Sequence, residues 1–255
     1  MGQVTIVGGG LAGSEAAWQL VRRGIRVRLL EMRPQVGTKA HKTGRFAELV
    51  CSNSFRGRDL SNAVGLLKEE LKLLDSLVMH AALASEVPAG GALAVDRDVF
   101  SSIIDDTLRS HPLVEVVTGE VDSIPASDAE HPVIIATGPL TSKTLSRAIE
   151  ELTGSESLAF FDAISPIILG ESIDQDIVFR RSRYDKGDGD DYLNIPLDRE
   201  QYYQFVESVR AAEKFGGHEE VEADMVDNLR PFEGCMPIEE MIDRGPDTLL
   251  FGPFK

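Results

Sequence analysis

Val4-Thr-Ile-Val-Gly-Gly-Gly-Leu-Ala-Gly-Ser-Glu-Ala-Ala17 and, after a helical stretch to Gly24, Ile25-Arg-Val-Arg-Leu-Leu-Glu-Met-Arg33 are the residues that decide the fold. An apolar β run over Val4–Val7 feeds a G-x-G-x-x-G turn at Gly8, Gly10 and Gly13. A helix follows, then a second β run, Ile25–Leu30, that ends on an acid, Glu31. Each part has a physical task in a dinucleotide-binding βαβ unit. Gly8 permits the tight turn, Gly10 carries no side chain to block a pyrophosphate, and Gly13 lets the helix lie close to the strand. The helix start at Leu11 and Ala12 offers N–H groups and the positive end of its dipole to an anion. Glu31 can accept hydrogen bonds from a ribose, and Arg33 follows it. Gly8, Gly9, Gly10, Leu11, Ala12, Gly13, Glu31 and Arg33 are therefore the expected cofactor-binding set.

A second feature selects the dinucleotide. His131-Pro-Val-Ile-Ile-Ala-Thr-Gly138 reads as a short β-branched strand ending in small residues. It resembles the strand end of two-dinucleotide flavoproteins, where Thr137 and Gly138 let the chain pass close to the cofactor. With the glycine turn at the N-terminus, this favours FAD over NAD.

The remaining pattern is that of a globular α/β chain. Hydrophobic residues make up 42% and charged residues 27% of the 255, with no apolar run near the roughly 20 residues of a membrane-spanning helix. The chain enters a strand at once, so no signal peptide is expected, and the cysteine usage makes the reducing cytoplasm the expected compartment. Its two cysteines, Cys51 and Cys235, are far apart without metal-ligand spacing, which fits reduced thiols. Net charge is −16, but it is unevenly spread. Residues 1–60 carry ten Lys and Arg against four Asp and Glu, whereas residues 61–255 carry 16 against 38. Lys39, Lys42, Arg45, Arg56 and Arg58, with His41, surround Cys51. Such a basic loop suits an anionic ligand, although a solvated charged loop has the same composition.

Periodicity places the other elements. Pro34 to Asp59 reads as a functional loop. Leu60 to Leu83 reads as one amphipathic helix with Val64, Leu67, Leu71, Leu74 and Val78 on a core face. Ala92–Val95 is a strand, Asp96–Ser110 a helix with Val99, Ile103, Ile104 and Leu108 inward, and Val114–Val117 and Val133–Ala136 are strands. Further on, Leu158–Leu169 is β-like, Ile177–Tyr184 alternates, Asp185–Asp191 is a charged loop, and Asp198–Lys214 is an amphipathic helix. The expected fold is α/β: a FAD-binding Rossmann-like, glutathione-reductase-type three-layer domain over 1–155, followed by an inserted α/β substrate domain over 156–255. Because no closing strand and helix return to the first domain, the chain reads as a C-terminally incomplete, N-terminal fragment.

The cysteines sit in distinctive surroundings. Cys51 lies in Glu48-Leu-Val-Cys-Ser-Asn-Ser-Phe-Arg56 and Cys235 in Leu229-Arg-Pro-Phe-Glu-Gly-Cys-Met-Pro-Ile-Glu-Glu-Met241. Pro237 suits the first turn of a helix running to about Arg244. Cys235 would then lie at or beside its N-cap, where a thiolate is favoured, with Glu239 and Glu240 opposing. Both segments, with the N-terminal turn, Arg26-Val-Arg-Leu-Leu-Glu-Met-Arg-Pro34 and Ala94-Val-Asp-Arg-Asp-Val-Phe100, closely resemble the folate- and FAD-dependent tRNA (uracil-5-)-methyltransferase family, TrmFO. The related wobble-uridine flavoproteins, MnmG or GidA, share its fold but match these local motifs less well.

That resemblance implies an activity. Uracil C5 is a poor nucleophile until a thiolate adds at C6 and makes it enolate-like. The family takes its one-carbon unit from 5,10-methylenetetrahydrofolate by way of reduced FAD, with NAD(P)H as the source of electrons, and makes ribothymidine in the tRNA T loop. It implies Cys235 as the C6 nucleophile and Cys51 as the assisting thiol, with the reverse order open. It implies tRNA, through its T arm, and folate as partners. The anion of the basic loop is then flavin pyrophosphate, the folate tail or tRNA phosphate. A small-molecule flavin oxidoreductase and a non-catalytic flavin- or RNA-binding remnant are the readings from other classes.

Overall fold

The computed structural model describes residues 2–38, 40–154, 168–182, 190–213 and 238–251. The chain divides into two compact units, Met1–Leu158 with Ser182–Tyr192, and Ala159–Arg181 with Leu193–Lys255.

The first unit is built on a parallel sheet. Strands β1 (Val4–Val7), β2 (Val27–Glu31), β6 (Val114–Thr118) and β7 (Val133–Ile135) lie in the order β6-β2-β1-β7. Counted among parallel strands alone, that is third, second, first, fourth, the order of a dinucleotide-binding half. Val4 pairs with Val27 and Val7 with Leu30, while Thr5 pairs with Val133 on the other side. The order reverses at β1, so the crevice at the strand ends opens beside Val7 and Gly8. Helix α1 (Leu11–Val21) links β1 to β2 and buries Ala17 and Val21. Together with Ile6, Val27 and Leu29, all fully buried, it forms the centre of the core. Burying each such aliphatic side chain contributes about 1.5–3 kcal/mol.

Two further helices complete that core. Helix α4 (Arg97–Ser110) is N-capped by Asp96, whose carboxylate accepts from the Asp98 and Val99 N–H groups. It buries Phe100, Ile104 and Leu108; Val99, expected inward, is 45% exposed. The apolar period is real, but the buried stripe is shifted by one residue to Phe100.

The helix expected over Leu60–Leu83 is two helices, α2 (Ala63–Leu73) and α3 (Leu77–Ala84). Asp75 breaks them with a φ of 51°, and Ser76 caps α3 by accepting from the Met79 N–H. Side chains of α1 hold this turn from outside. Trp18 Nε1 donates to the Asp75 carbonyl at 2.9 Å, Gln19 and Arg22 donate to the Leu74 carbonyl, and Arg22 also pairs with the Asp75 carboxylate. The break therefore depends on residues more than 50 positions away. It also overturns part of the expected core face: Leu67 is 55% and Leu74 57% exposed, whereas Leu71 and Val78 are partly buried against the core. Gly65 and Lys68 are the buried residues of α2, and Leu77, Met79, Ala81 and Ala82 those of α3.

The segment read as a loop, Pro34 to Asp59, contains a strand, β3 (Ser54–Gly57). It forms an antiparallel sheet, β3-β5-β4, with β4 (Glu86–Val87) and β5 (Ala92–Val95). Phe55 anchors it against Phe100, ring centroids 5.4 Å apart. Helix α5 (Lys143–Thr153) follows β7, capped by Ser142 and ended by Gly154 in the left-handed region.

In the second unit, β8 (Phe179–Arg180) pairs antiparallel with β9 (Leu193–Asn194). Helix α6 (Arg199–Ala211) starts in a capping box between Asp198 and Gln201. Tyr202 and Val206 of α6 pack with Ile242 of α7 (Ile238–Asp243) and with Leu249. The Tyr202 hydroxyl donates to the Pro246 carbonyl at 2.7 Å. Of the alternation expected over Ile177–Tyr184, only the Phe179–Arg180 strand is present among the described residues. Most of the Asp185–Asp191 loop, and residues 158–167 of the β-like stretch before it, lie outside them.

Candidate functional site

A cleft opens at the carboxyl ends of the parallel strands. It is lined from β1 by Val7, Gly8 and Gly10, from β2 by Leu30, Glu31, Met32 and Arg33, and from β6 by Gly119 and Glu120. Thr137, Thr141 and Ser142 line it from the turn after β7, and His41 from the loop after β2. Five residues chosen from sequence, Gly8, Gly10, Glu31, Arg33 and Thr137, thus come together in one place. Gly9, Leu11, Ala12, Gly13 and Gly138 are their chain neighbours in the same turns.

The glycines divide by task. A Cβ on Gly13 would lie 1.9 Å from the Gly8 carbonyl oxygen, so helix and turn meet there backbone to backbone. Gly8 has a φ of 102°, and its Cβ would lie 2.6 Å from the Ala136 oxygen. Gly9 is covered by Phe46, whose ring would stand 2.5 Å from its Cβ. Gly10 alone of the four faces open space, with nothing within 4 Å of its Cβ position. It is also the N-cap of α1, with no side-chain cap and no acid in the first turn. Backbone donors and the positive helix end therefore face an open cradle, the environment a pyrophosphate requires. The residues present fit a dinucleotide such as FAD.

The acid at the end of β2 is tied to that turn. Glu31 is 6% exposed. One of its oxygens accepts from the Gly9 N–H at 2.8 Å, and the other accepts from the Arg33 N–H and Nε at 3.0 and 2.9 Å. Arg33 Nη2 adds a fourth contact at 3.3 Å. Burial pushes the Glu31 carboxyl up, but hydrogen bonds and charge from Arg33, with the Gly9 N–H, outweigh it and hold it below the usual carboxylate range. The four acceptor directions of a carboxylate are thus in use. A ribose contact at Glu31 must share or displace one, and the 3.3 Å contact is the weakest.

Arg33 bridges to a second acid, Glu48, through Nη1 at 3.3 Å. Glu48 also accepts from the Lys42 and Thr43 N–H groups and the Thr43 hydroxyl, which orders the loop over 41–48. Burial raises its carboxyl and these hydrogen bonds lower it, with the net result below its ordinary value. From the other side Asp105 accepts the Phe46 N–H at 3.0 Å, Arg109 lies 4.5 Å over the Phe46 ring, and Ala47 N–H donates to the Gly9 carbonyl. Thr38 and Phe46 were missed from sequence, and His41 and Glu48 were named only within the basic loop and the cysteine-bearing segment, without these contacts. Their positions depend on this long-range scaffold, and no local motif announces them.

Much of the basic loop is spent internally. Arg45 pairs with Asp98 at 3.0 Å, Arg58 pairs with Glu86, and Arg33 lies between Glu31 and Glu48. Lys42 and Arg56 are exposed and have no ion pair among the described residues. Arg56 also has a φ of 64°, uncommon for a residue with a side chain. Lys39 lies outside the described residues.

The two cysteines are placed differently. Cys51 is exposed, three residues before β3, and does not line the cleft. Cys235 and Pro237 lie outside the described residues; the helix expected after Pro237 is present as α7. No metal-binding cluster is found among the described residues. No helix among them is long and apolar enough to cross a membrane.

The family model for glucose inhibited division protein A matches residues 3–255. The chain belongs to that family. It is 56% identical over 254 residues to the methylenetetrahydrofolate--tRNA-(uracil-5-)-methyltransferase TrmFO of Geobacter sulfurreducens, covering 100% of this chain and 56% of that protein. The protein of the same name from Symbiobacterium thermophilum is 55% identical over 252 residues, 99% of this chain and 55% of that one. The chain thus spans little more than half the length of the curated relatives it matches. The solved structure of Aquifex aeolicus GidA overlaps 54% of this chain and 25% of that one, at 15% identity and a TM-score of 0.43, too little to carry weight. The likeness read from the cysteine-bearing motifs and the N-terminal turn is borne out at the level of the family.

Proposed function

We propose that the chain carries the FAD-binding part of a tRNA methyltransferase that converts a T-loop uridine to ribothymidine. The observation that supports this best is the open Gly10 cradle at the strand ends, with Glu31 and Thr137 beside it, in a chain 56% identical to proteins named for that reaction.

In this reading the Leu11, Ala12 and Gly13 N–H groups hold the FAD pyrophosphate at the start of α1. Glu31 and Arg33 fix the turn and the ribose side, and Thr137 with Gly138 forms the opposite wall. Bound there, reduced FAD supplies the relay for the one-carbon unit of 5,10-methylenetetrahydrofolate and the reducing equivalents, themselves drawn from NAD(P)H. Cys235 acts on the substrate. Its thiolate forms a bond to uracil C6, the electron pair moves to C5, and C5 attacks the one-carbon electrophile. Loss of the C5 proton, assisted by Cys51, would expel the carrier nitrogen and leave an exocyclic methylene at C5; the hydride that reduced FAD would supply then adds to that carbon as the Cys235 thiolate leaves C6, which gives the 5-methyl ring. Residues 156–255 serve as the substrate domain. The T-arm uridine is stacked in the tRNA elbow and has to be exposed to react. Among the described residues, Lys42 and Arg56 are the phosphate contacts the loop still offers. A cytoplasmic site of action follows from a tRNA substrate.

The test is transfer of labelled carbon from methylenetetrahydrofolate to tRNA lacking ribothymidine, with FAD and NAD(P)H present. Label at the T-loop uridine supports the proposal. Modification at the wobble uridine favours the GidA-like reaction, and NAD(P)H oxidation needing neither folate nor tRNA favours an oxidoreductase. Trapping with 5-fluorouracil-containing tRNA separates the cysteines. Cys235→Ala abolishes the covalent complex and Cys51→Ala does not; the opposite result reverses the assignment.

A further inference from the structure

His41 lines the cleft and has one ring nitrogen, Nε2, with no hydrogen-bond partner among the described residues. The Thr38 hydroxyl oxygen accepts from the His41 backbone N–H at 3.1 Å and lies 2.7 Å from His41 Nδ1. When the Thr38 hydroxyl donates its proton to Nδ1, the imidazole is the tautomer that carries its own proton on Nε2, and that is the form the inference uses. Burial, and next the Arg33 guanidinium, hold His41 below its ordinary pKa, with Glu48 and Glu31 opposing, so the ring is neutral near pH 7. Nε2 has no hydrogen-bond partner among the described residues. A half-buried N–H of this kind calls for a partner. The ring shares its cleft with Glu31, Met32 and Arg33 at the end of β2, where the ribose of a dinucleotide lies in this fold.

Glu31 makes the need for a ribose ligand sharper. Its carboxylate already accepts from Gly9 N–H and from three Arg33 N–H groups. We propose that His41 is a dinucleotide-binding residue whose Nε2–H donates to a hydroxyl of the adenosine ribose, a contact that Glu31 alone does not supply. The inference rests on the FAD reading of the cleft. It adds a recognition residue from a loop that the glycine motif does not predict, held in register by Thr38 and Glu48.

The test measures FAD affinity of the purified chain by quenching of flavin fluorescence, and affinity for ADP and 2′,3′-dideoxy-ADP by competition. His41→Ala is expected to weaken FAD and ADP about tenfold, the scale of one hydrogen bond in a binding site. Dideoxy-ADP, which lacks the ribose hydroxyls, binds variant and wild type equally. His41→Gln places an amide N–H near the Nε2 position and restores most of the affinity. Thr38→Val, which frees the ring to adopt either tautomer, gives an intermediate loss. Thermal unfolding without ligand checks that each variant folds; if His41→Ala does not, Thr38→Val and the dideoxy comparison carry the test. Unchanged FAD affinity in the variants, or an equal loss for ADP and dideoxy-ADP, overturns the role of His41 and leaves the FAD reading standing. Failure of the wild type to bind FAD overturns that reading, and this inference with it.

Discussion

Glu31 and Gly9, 22 residues apart, are joined by a 2.8 Å hydrogen bond from the Gly9 backbone N–H to the Glu31 carboxylate. The acid that ends β2 therefore sets the shape of the glycine turn that ends β1. Arg33 holds that acid in place from the other oxygen.

Substituting Glu31 tests this coupling. Glu31→Gln leaves the buried Arg33 guanidinium with Glu48 as its remaining acid, and breaking a buried pair of this kind costs about 3 kcal/mol. The pH dependence has a definite sign. The folded-state pKa of Glu31 is depressed, so its stabilisation is fully present above the unfolded value of about 4.3 and is lost as pH falls through the folded value. Melting curves from pH 7 to pH 3 are expected to converge for wild type and variant as the pH falls. Parallel curves contradict the coupling.

The glycines of the turn separate folding from binding. Gly13→Ala forces a Cβ to 1.9 Å from the Gly8 oxygen and cannot be relieved by a side-chain movement. It is expected to destabilise the chain by about 1–3 kcal/mol or more. Gly10→Ala meets nothing within 4 Å, and its φ of −72° suits alanine. That variant is expected to melt close to wild type while losing FAD, because the methyl group occupies the space of the pyrophosphate. Thermal melts with and without FAD distinguish the two. A Gly10→Ala chain that binds FAD normally places the phosphates elsewhere.

Helices α2 and α3 offer a contrast of burial. Leu67→Ala, at a position 55% exposed, is expected to change stability by less than about 0.5 kcal/mol. Leu77→Ala, at 2% exposed, is expected to cost about 2–5 kcal/mol. Urea unfolding of both variants checks the order, and equal losses would restore a single helix with one core face.

These contrasts show what the sequence carried and why. The β1-α1-β2 unit was legible because strand period, glycine spacing and the terminal acid are all local, within 31 residues. Helix α4 was legible for the same reason, from Asp96 and its apolar spacing, although its inward stripe was misjudged at Val99. The break between α2 and α3 was not, because Trp18, Gln19 and Arg22 hold the turn at Leu74 and Asp75 from a different helix. Strand β3 was hidden because Ser54–Gly57 has little strand character of its own and is defined by pairing with β5. At the site, the glycines, Glu31 and Thr137 were legible as a motif. His41 and Glu48 were legible only as members of the basic loop around Cys51, since their contacts with Thr38, Arg33 and Thr43 arise across a folded loop.

The exposed basic residues give a prediction about tRNA. Arg56→Ala is expected to weaken tRNA binding and to reduce the slope of log K against log salt by about 0.7–0.9. Filter binding across a salt series measures this. An unchanged slope removes Arg56 from the phosphate contacts.

The central claim is that the cleft beside Gly10 and Glu31 holds FAD, and flavin content tests it most directly. The visible spectrum of the purified chain after gel filtration and FAD addition is expected to show close to one flavin per chain, lowered by Gly10→Ala without loss of fold. A folded wild-type chain that retains no flavin, even with FAD in excess, contradicts the account.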